Sequence, residues 1–194
     1  MTTAENRPHL DDPAVLDALA HPVRLDLLSY LMSEGPATAS ECARAVGDTP
    51  SNSSYHLRVL ARHGLVEAVD STDGRQRPWR AIITGFSTDA DAVADADGMG
   101  AARLAAASVQ LDYQLAREYL RTREQVAEPW RDIDAHINYG LRVTPTELRT
   151  ILEQIDAIAR PYIAAIRDDA PDGAAAATLS ILAFPRVSFE RPLL

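Results

Sequence analysis

The sequence predicts a mainly α-helical fold with a small amount of β-structure: a cluster of short helices closed by a hairpin, then a long helix and a small α+β unit. Three observations predict it. Four helix starts in the first third carry their own capping signals, two β-rich runs flank an Asp-Gly turn at 73–74, and an Ala- and Leu-rich run from Met99 lacks proline until Pro129.

The first helix opens at Asp11 or Asp12, whose carboxylates can accept from free backbone amides, with Pro13 at a position where a missing N–H costs nothing. It turns Val15, Leu16 and Leu19 inward. The second begins at Pro22 and places Val23, Leu27, Leu28 and Leu31 at helical spacing until Gly35-Pro36 stops it. The third has the reciprocal cap Thr38-x-x-Glu41 and ends near Gly47. Thr49 caps the fourth, with Pro50 next and Leu57, Leu60 and Ala61 facing the core before Gly64. Only Asp48 separates these last two units, so the helices must cross steeply, as in a helix-turn-helix.

These strings carry a resemblance. LDALAHPVRLDLLSYL, SSYHLRVLARHGLVEAV and DGRQRPWRAI, in that order over residues 12 to 83, resemble the ArsR (ArsR/SmtB) class of bacterial winged-helix transcriptional regulators. The resemblance implies a winged helix-turn-helix domain over 11–85 and a homodimeric repressor. Its fourth helix would enter the major groove of double-stranded DNA while the wing lies beside it.

The residues themselves support that division of roles. With Leu57, Leu60 and Ala61 inward, Ser51, Asn52, Tyr55, Arg58 and Arg62 lie on the open side of helix 49–63. Asn can read adenine, Ser several base edges, and Arg guanine or phosphate. Ser53 is expected to join this DNA-facing set. His56 has two readings, a phosphate contact or a structural hydrogen bond; Arg24 either braces the domain by an ion pair or touches DNA. The wing, 65–83, places Arg75, Arg77 and Arg80 around a tip with only Asp73 to oppose them, which favours phosphate or minor-groove contact. Trp79 is expected to anchor the hairpin, and Pro78 marks an edge strand.

Net charge opposes a simple electrostatic reading. The chain carries 19 basic residues, all Arg, against 28 acidic ones, for a net charge of -9. Binding nevertheless depends on local potential within a Debye length of about 8 Å, so a few arginines can form a positive face on an acidic protein.

Residues 1–10 read as a flexible arm and 86–98 as an acidic linker, whose aspartates do not fit the spacing of a calcium loop. The helix from Met99 to about Glu128 has two apolar stripes. One is Ala102, Ala106, Val109, Tyr113, Ala116 and Leu120; the other is Leu104, Leu111, Leu115 and Tyr119. Two stripes need two partners, so the first is expected to meet the same helix of a second subunit. Beyond it, residues 134–144 and 177–184 are expected as strands, joined by a helix from Pro145 that ends before Pro171. With the long helix they would complete a C-terminal unit over 99–194.

A small-molecule effector, if there is one, would act in this tail, with Tyr113, Tyr119, Trp130, Tyr139 and Phe184 as candidate lining residues. No metal or cofactor is expected. Cys42 is the only cysteine, short of the thiolates a soft metal needs, and the long helix holds no His. No nucleophile–base grouping or phosphate loop marks an enzyme; Asp132, Asp134 and His136, though close, fit a strand start better. The absence of a membrane-length apolar run or signal peptide predicts a cytoplasmic protein. Against the regulator reading stands a winged helix that binds protein rather than DNA.

Overall fold

The computed structural model describes residues 12–70, 77–86, 99–167 and 169–185. The protein is mainly α with a small β component. Helices α1 (Pro13–Leu19), α2 (Pro22–Glu34), α3 (Ala39–Val46) and α4 (Pro50–Arg62) precede an antiparallel pair, β1 (Val66–Ala68) and β2 (Trp79–Ala81). Then come α5 (Met99–Thr122), the short α6 (Glu128–Arg131) and α7 (Pro145–Ala159).

The expected caps are in place. Asp12 accepts from the Ala14 amide at 2.9 Å, and the Thr38 amide donates to Glu41 at 2.8 Å while the Glu41 amide donates back to Thr38 Oγ1. Thr49 Oγ1 accepts from the Asn52 amide at 3.3 Å. Gly47 closes α3 with φ of 69°, a left-handed conformation that a Cβ would strain. The sharp turn into α4 therefore has two independent sources, a glycine that reverses the chain and a threonine that restarts it.

Alpha-helix α2 is the hub. It touches α1, α3, α4, α5 and β2, and its Leu25, Leu27, Leu28 and Leu31 are buried. Leu16, Leu19, Cys42, Leu57, Leu60, Leu65, Val66, Ile83 and Leu104 complete the core. Trp79 packs on this core and exchanges backbone hydrogen bonds with Ala37 at 2.9 and 2.7 Å, so the hairpin base is stitched to the loop before α3. Val69 donates to the Pro78 carbonyl at 2.7 Å, leaving the proline where no ladder amide is required.

The two stripes of α5 separate as expected on one side only. Ala101 and Leu104 enter the core and Leu111 packs against it, whereas Leu115 is 40% exposed. Ala102, Ala106, Val109, Tyr113, Ala116 and Leu120 all face outward.

The C-terminal part departs from expectation in three ways. Alpha-helix α5 ends at Thr122 rather than near Glu128, and the chain folds back through a 3-10 turn at Arg123–Gln125. Tyr119 and Arg123 both donate to Asp134, each at 2.6 Å, which ties the returning chain to the helix end. Residues 134–144 and 177–184 form no strands. Alternation supplied a face for each, but neither has a neighbour among the described residues to complete a ladder, and Ile137, Tyr139, Leu179 and Phe184 stand exposed. Finally, α7 stops at Ala159, and Pro161 lies in the first of two 3-10 turns, Arg160–Tyr162 and Ala164–Ile166, the second of which lies against α2. Among the described residues the two strands of the hairpin, with the Ala37 bridge to Trp79, make up the β-structure.

Candidate nucleic-acid interface

Alpha-helix α4 follows α3 after a three-residue link, Gly47 to Thr49, and exposes one polar face. Ser51, Asn52, Tyr55, Arg58 and Arg62 lie on it, Tyr55 being 56% exposed. Leu57 and Leu60, on the opposite face, are fully buried. The helix is thus clamped along one side and offers the other, the arrangement that lets the second helix of such a pair enter a major groove.

Two expected members leave the set. Ser53 is fully buried, and its hydroxyl donates to Asp48 at 3.0 Å; the helical rotation that exposes Asn52 turns its neighbour toward the linker. His56 is 6% exposed and packs its ring on His21, with centroids 4.6 Å apart, so it is a structural residue rather than a phosphate contact. Arg24 also braces the domain, but through carbonyls rather than an ion pair: its guanidinium donates to the Ala18 and Asp17 oxygens.

Asp48 is the organising residue that sequence reading treated as a spacer. It accepts from Asn52 Nδ2 at 3.1 and 3.0 Å and from the Ser53 hydroxyl, and these bonds, led by the Thr49 amide, hold its carboxyl below the usual carboxylate range. Asn52 is consequently pre-positioned. To read adenine with two hydrogen bonds it must exchange Asp48 for the base. The spacing Asp48-x-x-x-Asn52-Ser53 was the available signal, since a carboxylate just before a capped helix is within reach of the first turn.

The cationic groups differ in readiness. Arg58 folds along its own helix, donating to the Ser54 carbonyl and hydroxyl at 3.0 Å each. Arg62 is exposed at the end of α4, and Arg77 is an exposed wing residue with Asp70 no nearer than 3.9 Å. Arg80 is paired with Glu67 across the hairpin at 2.6 Å, which offsets its charge. Arg75 lies outside the described residues.

Behind this face sits a packed pair of histidine rings, His21 and His56. The Nδ1 atoms of His21 and His56 are both buried without a hydrogen-bond partner. Desolvation is the main cause that holds both histidines below their ordinary value of 6.5, with Arg24 adding to it and Asp48 opposing it at His56. A depressed histidine pKa means the unfolded chain binds protons first as pH falls. The stability from this pair is therefore fully present above about pH 6.5 and declines as pH drops below it. Urea midpoints taken between about pH 7.5 and 5.5 are expected to fall with acidification, and His21→Gln is expected to flatten that slope.

Cys42 is fully buried, and burial pushes its thiol up to about 11, an inert thiol rather than a redox centre. The candidate effector aromatics stand apart from the cleft between α2 and α5: Tyr113, Tyr139 and Phe184 are 62, 75 and 64% exposed, and none of the five lines that cleft. Aromatics at helical or strand spacing mark a face, and here the faces remain open.

Fold and interface together define a helix-turn-helix module of the kind that binds DNA in transcription regulation. Comparison with known families agrees: the family described as a helix-turn-helix domain matches residues 19–69, from the last residue of α1 to the residue after β1. No curated protein matches the chain. Among the described residues no helix is long and apolar enough to cross a membrane.

Proposed function

We propose that this chain is a non-enzymatic, sequence-specific DNA-binding regulator, a repressor of the ArsR type that acts as a cytoplasmic homodimer. The observation that carries the reading is the one-sided burial of α4: Leu57 and Leu60 locked in the core, with Asn52, Tyr55, Arg58 and Arg62 presented beside a wing that adds Arg77. Direct reading falls to Ser51, Asn52, Arg58 and Arg62, and phosphate contact to Arg75, Arg77 and Arg80.

Dimerisation follows from α5. Val109, Tyr113 and Leu120 are 43, 62 and 70% exposed along one stripe, with Ala102, Ala106 and Ala116 between them allowing close approach. A second copy of the same stripe covers it by two-fold symmetry and sets two α4 helices at a fixed spacing. Occupation of a ligand site behind α5 would alter DNA affinity by favouring one dimer spacing over another.

Fluorescence anisotropy with labelled duplexes, first from the region upstream of the chain's own coding sequence, tests the reading. Salt-dependent binding to a dyad-symmetric site is expected.

A further inference from the structure

From Ala105 to Pro185 no described side chain is buried, and every exposed large apolar residue except Tyr55 and Ile82 lies in this stretch. Apolar surface on that scale marks a contact with another molecule. On α5 it is ordered. Ala102, Ala106, Val109, Tyr113, Ala116 and Leu120 follow one another at intervals of four, three, four, three and four residues, and all six are exposed. These are the a and d positions of a heptad repeat, whose seam fits a second α-helix of the same period.

The residues beside the seam decide which helix and in which direction. The flanking e positions hold Arg103, Gln110 and Arg117, and the g positions hold Ala105, Asp112 and Tyr119. In a parallel pair of identical helices, a g residue meets the e residue five positions further along its partner. Asp112 then meets the partner's Arg117, and symmetry makes the ion pair twice. In a fully overlapped antiparallel pair, e meets e and g meets g. Arg103 would face the partner's Arg117, and Asp112 its own symmetry mate, so every charged encounter would join like charges. Arg117 is exposed and has no ion pair among the described residues, while Arg103 is already engaged with Asp17 at 3.5 Å.

We propose that two copies of α5 pair in parallel along this seam as a short coiled coil, with Asp112 of each helix beside Arg117 of the other. This rests on the homodimer reading above and gives that dimer its direction. The occupant is a second copy because the charge pattern is complementary to itself in this one orientation. Ala101, Leu104 and Leu111 join α5 to the core, so both DNA-reading units sit toward the same end of the pair. An antiparallel pair would displace them from one another along its axis.

The test is disulfide trapping in the full chain. Ala102 and Leu120 lie at the two ends of the seam, roughly 27 Å apart along the helix. Ala102→Cys and Leu120→Cys are oxidised separately and as an equimolar mixture, with the wild type as control because its one thiol, Cys42, is fully buried. Each variant alone is expected to form a covalent dimer, and peptide mapping of the mixture to find no link between positions 102 and 120. The charges give a second, independent reading by sedimentation. Arg117→Asp is expected to weaken the dimer about tenfold, and adding Asp112→Arg to it to restore most of the loss. In an antiparallel pair Arg117→Asp would tighten association instead. Links between 102 and 120, a dimer with neither variant trapped, or tighter association of Arg117→Asp overturns the parallel pair and leaves the homodimer standing. A wild type that sediments as a monomer at micromolar concentration overturns both.

Discussion

Leu28→Ala is expected to destabilise the protein by about 3 kcal/mol, the middle of the range for truncating a fully enclosed leucine. Leu28 is fully buried on α2, the helix that touches α1, α3, α4, α5 and β2, so the cavity cannot close by moving one neighbour without disturbing another. The substitution removes apolar contact and leaves a void, and both terms act in the same direction. Urea denaturation followed by circular dichroism should show a lower midpoint with an unchanged slope. DNA binding should weaken only where the unfolded fraction becomes appreciable. A cost below about 1 kcal/mol would mean that α2 is not the hub its packing indicates.

The second large effect concerns assembly. Val109→Asp combined with Tyr113→Asp places two carboxylates on the exposed stripe of α5, and in a two-fold dimer each is brought toward its symmetry mate. Burial of unpaired charge costs several kcal/mol, enough to dissociate a micromolar dimer. Sedimentation equilibrium is expected to give twice the 21.1 kDa chain mass for the wild type and the single chain mass for the variant. Thermal stability is expected to fall only by the concentration-dependent contribution of the dimer, because both side chains are solvent-exposed in the single chain. A wild-type protein that sediments as a monomer at micromolar concentration would remove the dimer from the account.

The front of the chain was legible because its signals are local. Asp12, Thr38 and Thr49 each cap the helix that immediately follows, Gly47 supplies the reversal between α3 and α4, and the leucine spacing on α2 and α4 gives the buried faces directly. Pairings distant in sequence were not legible. Nothing in the string HPVR announces that His21 rests on His56, thirty-five positions on, and a serine pattern alone does not tell Ser53 from Asn52. One rotation step of 100° buries the first and exposes the second. The tail shows the converse limit. Alternation at 134–144 and 177–184 describes which side of a strand would be apolar, but a strand exists only when another strand satisfies its backbone, and none of the described residues supplies one. Likewise the cleft behind α5 draws Asp26 from one helix and Leu115 from another, a meeting that no periodicity encodes.

The central claim is that the open face of α4 and the wing bind duplex DNA. An anisotropy titration across salt concentration, comparing wild type with the triple substitution Arg58→Ala, Arg62→Ala and Arg77→Ala, tests it most directly. These three arginines are exposed and lie outside the core, so the variant should keep the wild-type fold. The wild type is expected to bind its dyad site with affinity that falls steeply as salt rises, and the variant to lose at least about a hundredfold at low salt together with a shallower salt slope. Equal affinities and equal slopes for the two proteins, or no binding by the wild type at the lowest salt, would contradict the claim.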